Sequence, residues 1–457
     1  FLDHDDTFAP FALYEVARYL NQHADCDLLY SDHDLIDAGS GLRKQPLFKP
    51  DWSPDTMLSS NYITHLTVVR KELVQELGGF DAQKDGAQDW DLYLRAVERA
   101  RHIGHIPKVL YHWRESASST AANIYTKAYA PAAQLRSIED HLARIGLPAP
   151  RAFHDPSGFI RVAWSPARQG KVTIIIPSRG ANKMLENCIQ SIFARTAYPD
   201  YEVVVVNNGP RRAEDFPYYR KLRQDSRARV LDYEGVFNYS AVNNIGARSS
   251  ESEYILLLNN DTEVIHEDWL SEMVMWASRP EIGAVGAKLL LPDGRIQHAG
   301  VILGLTGFAG HVFGGRPEGE WGCFGLAEWY RDYMAVTAAC VLFRREVYEK
   351  MGGLDESFLL CGNDVELGLR LNQSGYRVLY HPFVRLYHLE SATHKGSIPN
   401  EDFDLSFKCY SHVLKSGDPF FNPNLSYWDL APRLSHPGER LPYEFARSHI
   451  ASFGKGV

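Results

Sequence analysis

Val172-Thr173-Ile174-Ile175-Ile176-Pro177-Ser178-Arg179 is an apolar run without alternation that stops on a proline and two polar residues. Apolar side chains on both faces predict a strand buried on both sides, as in a parallel sheet covered by helices. The following residues agree. Leu185, Ile189, Ile192 and Phe193 fall on one stripe of a helix predicted over 182–196. Glu202-Val203-Val204-Val205-Val206 reads as a second buried strand, stopped by the turn residues Asn207-Asn208-Gly209-Pro210. A third strand is expected over 229–233, a helix over 240–249 and a fourth strand over 254–258. Such alternation implies an α/β fold with a doubly wound, mostly parallel sheet and right-handed crossovers. Ligands of these sheets sit beyond the carboxyl ends of the strands. Pro177-Ser178-Arg179, Asn207-Asn208 and Asn259-Asn260-Asp261 all fall there, so three polar clusters are expected around one crevice.

Working outward, two constellations occur twice in the same order. One copy has Leu256-Leu257-Leu258-Asn259-Asn260-Asp261-Thr262, then Gly362-Asn363-Asp364-Val365-Glu366, then Leu386-Tyr387-His388. The other has Phe1-Leu2-Asp3-His4-Asp5-Asp6-Thr7, then Ala87-Gln88-Asp89-Trp90-Asp91, then Leu110-Tyr111-His112. The spacing from Asp89 to His112 is one residue shorter than that from Asp364 to His388. Gly78-Gly79-Phe80-Asp81 and Gly352-Gly353-Leu354-Asp355 also correspond, as turn-forming glycines. The early copy lacks the strands of a nucleotide crevice. Residues 1–147 therefore read as a partial domain, 148–170 as a linker with one short strand, and 171–415 as a complete domain. Residues 416–457 carry Pro419, Pro423, Pro432 and Pro437, show no helical period, and read as a tail packing on the second domain.

With 457 residues, 45% of them hydrophobic and 12% aromatic, the chain can bury large cores and is not disordered. A formal charge of −9 without a Lys/Arg block argues against nucleic-acid or anionic-membrane binding. Six cysteines without C-x-x-C spacing suit buried thiols in a reducing compartment. Apolar runs are strand-sized, and no secretory signal is visible. The chain opens on Phe1, inside what reads as a strand, so a longer protein upstream is expected. Cytoplasmic is the default location.

Asp261, at the end of a buried strand, is placed to hold a divalent cation against two phosphate oxygens. It is equally placed to cap the next helix. The neutral Asn259 and Asn260 favour labile Mg²⁺ or Mn²⁺ over a permanent metal. Asp364 opens an amphipathic helix and is either a dipole partner or a general base toward an acceptor hydroxyl. His388 follows a strand and is a satisfied histidine or a nitrogen ligand compatible with Mn²⁺. Trp321, Phe324, Trp329, Tyr330 and Tyr333 suit stacking on sugar rings, or plain packing. His298 and His311 flank a glycine-rich stretch and are given no catalytic role.

These motifs resemble glycosyltransferase family 2, and in particular the tandem-domain enzymes of bacterial O-antigen and other surface-polysaccharide synthesis. The likeness rests on residues 172–179, on Phe237-Asn238-Tyr239-Ser240-Ala241-Val242-Asn243-Asn244, on 256–264 and on Asn363-Asp364-Val365-Glu366. It implies a GT-A fold, one partial and one complete copy, a nucleotide-diphospho-sugar donor, a divalent cation and inversion by single displacement. By correspondence Asp261 and His388 hold the metal and Asp364 is the base. Pro177, Ser178, Arg179, Asn207 and Asn260 form the donor pocket. Asn207 stands where the family usually has Asp, which weakens recognition of a pyrimidine N–H. Asp5, Asp6, Asp89 and His112 correspond in the first copy, which is expected to be inactive in this chain. The acceptor is expected to be a glycan or lipid-linked glycan, with peripheral contact to the inner face of the cell membrane through it. Two other classes compete. A nucleotidyltransferase calls for a Gly/Lys-rich loop that Ser178-Arg179-Gly180-Ala181-Asn182-Lys183 supplies weakly. A non-catalytic nucleotide-sugar or glycan-binding scaffold conflicts with the presence of Asp261, Asp364 and His388 together.

Overall fold

The computed structural model describes residues 1–115, 129–166, 169–389 and 398–453. Residues 167 and 168 of the expected linker and 454–457 of the expected tail lie outside the described residues. The strand Val172–Ser178 is buried at every position. It sits between two parallel neighbours, Tyr201–Asn207 and Tyr254–Leu258. Ala228–Asp232 extends the parallel set beyond Tyr201–Asn207. Helix Tyr239–Arg248 lies directly on these strands, since a Cβ built at Gly246 would come within 2.5 Å of the Ile175 side chain.

Beyond Tyr254–Leu258 the ten-stranded sheet becomes mixed. Cys340–Arg344 is antiparallel to Tyr254–Leu258 and to Ile282–Leu290. Arg377–His388 runs parallel to Ile282–Leu290, and the short strand Thr262–Val264 closes this edge antiparallel to it. The α/β class and the Rossmann-like parallel half agree with the sequence. Strand order in the mixed half is set by long returns that local periodicity does not encode.

Residues 1–115 repeat that mixed half. Cys26–Ile36 is parallel to His102–Arg114, Thr7–Phe8 is antiparallel to the same strand, and Thr67–Val69 is antiparallel to Cys26–Ile36. Thr7 pairs with His112 as Thr262 pairs with His388. Among the described residues of this unit, the four-stranded parallel half has no counterpart.

The units are joined by buried charge. Asp55, in the 3₁₀ turn Pro54–Leu58, accepts from Arg279 Nη1 at 2.9 Å and Arg377 Nε at 3.0 Å. Burial alone would raise its pKa, but the two guanidiniums, Arg377 foremost, hold the carboxyl below the usual range. Asp332, beside it, is pushed well above that range by burial and then by the charge of Asp55. Ser53 Oγ donates to Asp332 Oδ2 at 2.9 Å, which stitches the same turn into the sheet. The chain after Gly417 bonds to both units: Asn422 Nδ2 donates to both oxygens of Asp32, at 3.1 and 2.9 Å, and Asp418 Oδ2 accepts from Leu303 N at 2.8 Å. Contrary to the sequence reading, this tail ends in a helix, Pro442–Phe453. Proline is tolerated there because it occupies the first turn, where its missing N–H costs nothing. Among the described residues, no helix is long and apolar enough to cross a membrane.

Removing one partner of a buried ion pair leaves an uncompensated charge, a loss of about 3–5 kcal/mol. Asp55→Ala is therefore expected to lower the urea midpoint by a corresponding amount. Arg212→Ala, which breaks only the exposed pair with Glu234, is expected to leave the midpoint unchanged.

Candidate active site

A cavity of about 540 Å³ opens at the carboxyl ends of Val172–Ser178 and Tyr254–Leu258. Pro177, Ser178, Arg179, Asn260, Asp261, Asp364 and His388 all line it. The two aspartates, far apart in the chain, thus face one space.

Asp261 meets His388 because of strand register. The pairing of Thr262 with His388, together with the bond from Leu389 N to Asp261 O at 2.9 Å, aligns the two segments. Asp261 Oδ1 then lies 3.2 Å from His388 Nε2. The other ring nitrogen, Nδ1, is 2.7 Å from Gln297 Oε1. Asn260 Nδ2 donates to Ser178 Oγ at 3.1 Å, tying together the ends of two parallel strands. Tyr239 O–H reaches Asn259 Oδ1 at 3.0 Å and Ala338 O at 3.1 Å. Burial, followed by the charge of Asp364, pushes this phenol well above its ordinary pKa, so it stays a donor.

Asp364 lies in the first turn of helix Asn363–Gln373, behind Gly362 at φ +89°. A side chain at Gly362 would be strained in φ and would meet Ser406 Oγ at 2.6 Å. Asp364 Oδ2 accepts from Ala338 N at 3.1 Å and Oδ1 from Val365 N at 2.9 Å. Glu366 is committed to Arg370 at 2.6 Å, so the two acids of this motif do not share the cavity. The approach to the helix is held by buried Asp402, which accepts from Leu359 N, Leu360 N and Cys361 N at 2.8, 2.8 and 2.9 Å. Burial, then the charges of Asp364 and Asp402, pushes the Cys361 thiol up to about 12, so this cavity-lining cysteine is no thiolate nucleophile. Val301, Phe308, Ile398 and Phe403 form an apolar wall.

Asn207 stands apart from this cavity. It is buried at its strand end, where Nδ2 donates to Asp232 Oδ1 at 2.7 Å and to Arg211 O at 3.0 Å. Its Oδ1 accepts from Gly209 N at 3.2 Å. Of the five aromatics that suited either sugar stacking or plain packing, Phe324, Trp329, Tyr330 and Tyr333 are buried core residues, and Trp321 is exposed. The Arg331 guanidinium lies over the rings of Phe313, Phe324 and Trp329 at 5.3, 4.4 and 5.2 Å, which explains their clustering as packing. His311 lines the cavity and His298 is buried behind it, with ring centroids 4.6 Å apart.

In the first unit the corresponding side chains have other partners. Asp5 is exposed. Asp6 accepts from Tyr111 O–H at 2.5 Å and Arg114 N at 2.7 Å. His112 Nδ1 is 2.6 Å from Asp34 Oδ1, and Asp34 also accepts from Arg43. Asp89 accepts from Asn61 at 3.0 Å, and burial raises its pKa.

Residues 173–352 match the family described as Glycosyl transferase family 2. The chain is 44% identical over 429 residues to the O-antigen biosynthesis protein RfbC of Myxococcus xanthus, covering 93% of this chain and 33% of that protein. It is 41% identical over 437 residues to the uncharacterized protein y4gI of Sinorhizobium fredii, covering 93% of this chain and 48% of that one. The chain thus spans a third to about half of these relatives. The O-antigen chain rhamnosyltransferase RfbN of Salmonella typhimurium is 23% identical over 238 residues, covering 52% of this chain and 70% of that protein. Among solved structures, the mannosyltransferase PcManGT from Pyrobaculum calidifontis, in complex with GDP-Man and Mn²⁺, aligns with a TM-score of 0.41 and 17% identity over 64% of this chain and 77% of that one, too loosely to bear on the site.

Asp402 satisfies three successive N–H groups before the Asp364 helix. Asp402→Ala is expected to cost about 1–3 kcal/mol and Asp402→Asn less, because buried donors lose their acceptor. Hydrogen exchange of the Leu359, Leu360 and Cys361 amides should accelerate selectively in Asp402→Ala. Unchanged exchange there would show that the carboxylate does not hold the loop.

Proposed function

We propose, for a chain that carries a glycosyltransferase family 2 domain over residues 173–352, that this domain transfers a sugar from a nucleotide-diphospho-sugar to a glycan hydroxyl with inversion. The setting is bacterial surface-polysaccharide synthesis of the O-antigen type, in keeping with the names of its relatives. One observation carries the reading. The Asp261–His388 pair, the Ser178–Asn260 bridge and the Asp364 carboxylate all line a single cavity large enough for a sugar and a diphosphate.

Asp364 suits a general base. Both oxygens are fixed by backbone N–H groups, so the carboxylate is oriented before substrate arrives, and each oxygen keeps a lone pair for a further proton. The acceptor hydroxyl gives its proton to Asp364 as its oxygen bonds to the anomeric carbon. The bond from that carbon to the diphosphate oxygen breaks, and its electron pair leaves with the diphosphate. A single displacement of this kind inverts the carbon. Ser178, Asn260, Pro177 and Arg179 are assigned to the donor side. Asn207 contributes by ordering the neighbouring turn rather than by lining the cavity.

The donor set suits Mg²⁺ or Mn²⁺. Asp261 and His388 offer one oxygen and one nitrogen 3.2 Å apart on the cavity wall. Among the described residues, no three His, Cys, Asp or Glu side chains converge to hold an ion. Two protein donors fit a cation that completes its shell with phosphate oxygens and water, as Mg²⁺ commonly does. When bound, such a cation offsets charge gathering on the leaving diphosphate.

We divide the chain accordingly: 1–147 a partial copy, 148–170 a linker, 171–415 the catalytic domain and 416–457 a tail. The first copy is read as a non-catalytic scaffold, because Asp6 and His112 are bonded to Tyr111 and Asp34 rather than paired across a cleft.

Purified protein is to be tested with UDP-, dTDP- and GDP-sugars for donor hydrolysis or transfer. Asp364→Asn is expected to lose about 10²–10⁴-fold in turnover while binding nucleotide as the wild type does. Full turnover by Asp364→Asn would remove the base assignment. Chelation with EDTA, or Asp261→Ala, is expected to abolish turnover and weaken nucleotide binding, and only the chelated wild type should recover with Mn²⁺ or Mg²⁺.

A further inference from the structure

We propose that Phe308 and Phe403 take the C–H face of the acceptor sugar beside Asp364, and that the C-terminal helix Pro442–Phe453 holds these two rings in place through His449. The proposal deepens the reading of Asp364 as the acceptor-side base, and rests on it.

The cavity has two chemically different ends. Ser178, Asn260, Asp261 and His388 lie at the strand ends, a polar setting that suits a charged diphosphate. Phe308, Phe403 and Val365 line the same cavity but pack in one apolar cluster with Tyr410. Val365 directly follows Asp364, so this cluster begins at the base itself. Phe403 is tied to the same place by its neighbour Asp402, which accepts from Leu360 N at 2.8 Å and Cys361 N at 2.9 Å just ahead of the Asp364 helix. The two rings meet with centroids 4.9 Å apart and planes tilted by 52°, which makes a corner rather than a flat stack. Aromatic rings give a diphosphate no hydrogen bond, and a hydroxyl set against them loses water without replacement. One face of a pyranose, lined by C–H groups, can instead be buried on them. The partner of Asp364 must also bring a hydroxyl, and a sugar brings both.

The corner depends on the tail. Gly304 at φ +97° and Gly307 at φ +101° shape the turn before Phe308. A Cβ on Gly307 would come within 2.3 Å of the Phe445 ring, and one on Gly304 within 2.9 Å of Tyr427, so the tail is seated directly against this turn. From the helix, His449 meets both rings of the corner edge-on, with centroids 5.8 Å from Phe308 and 4.9 Å from Phe403. Its own ring lies parallel to Phe445 within 9°, at 5.8 Å. His449 is thus a positioning residue that acts through Phe308 and Phe403, and its role calls for a flat ring rather than for a charge.

The experiment is saturation-transfer NMR on the full chain, deuterated except at phenylalanine, with UDP or GDP present. The probes are the methyl α-glycosides of mannose, rhamnose, glucose and galactose. Wild type is expected to pass saturation to the C–H protons of one face of at least one probe. Phe308→Leu and Phe403→Leu keep apolar bulk but remove a ring, and each is expected to lower that transfer several-fold with nucleotide affinity unchanged. His449→Ala should lower it in the same direction, and His449→Phe should restore it. Should a leucine variant lose the wild-type urea midpoint, the His449 pair carries the test. No transfer to any probe in wild type, or transfer that survives the substitutions, would overturn the proposal, as would His449→Phe behaving like His449→Ala. The two readings fail separately. If Asp364→Asn keeps full turnover while the ring variants lose transfer, the base assignment falls and the aromatic corner stands; the converse removes the corner and leaves the base.

Discussion

Three residues of antiparallel pairing, Thr262–Val264 against the end of Arg377–His388, are the constraint on which the site depends. They set Asp261 beside an imidazole more than a hundred residues away. In a strand, a slip of one residue turns every side chain to the opposite face. Such a slip would carry His388 out of the cavity and break the pair. The register is protected on both sides: Arg377–His388 is locked in parallel to Ile282–Leu290 along most of its length, and Leu389 N bonds to Asp261 O. The same pairing recurs at Thr7 and His112, so both units share this edge.

Around this frame, charge is used sparingly. The cavity is lined by Asp261, Asp364 and Asp402, by His311 and His388 and by Arg179, and Asp402 is spent on backbone N–H groups; around Asp261 and His388 the neighbours are amides and hydroxyls: Asn259, Asn260, Ser178, Tyr239 and Gln297. Amides can be satisfied by one another in the absence of ligand, whereas extra carboxylates beside a diphosphate would repel it. Other buried ion pairs lie away from the cavity, among them the Asp55–Arg279–Arg377 junction and the Lys288 pair with Glu328. Both are structural, and the first ties residues 1–115 to the ten-stranded sheet.

How much could be read from the residues follows from how local each signal is. Val172–Ser178 was legible because two-sided burial erases alternation, and the helix that follows shows its stripe within thirteen residues. Asp261, Asp364 and His388 were legible because the same order appears twice. Gln297 and Asp402 left no such trace: their partners lie 91 and 43 residues away, and neither belongs to a repeated motif. Tyr239 sat inside a quoted motif, but its role depends on a carbonyl 99 residues distant. The aromatic loop stayed open between two readings because spacing cannot separate a ring presented to sugar from a ring packed on Arg331. The terminal helix was missed because prolines upstream were read as breakers of the whole tail, although Pro442 only begins a turn.

The central claim is that Asp261 and His388 share one cation at the diphosphate end of the cavity that Asp364 enters from the acceptor side. Anomalous diffraction at the manganese edge, from crystals grown with Mn²⁺ and a nucleoside diphosphate, tests it most directly. The expected map has one manganese peak contacting both Asp261 and His388, with phosphate density beside Ser178 and Asn260. A manganese peak touching neither side chain, or a nucleotide seated outside this cavity, would contradict it.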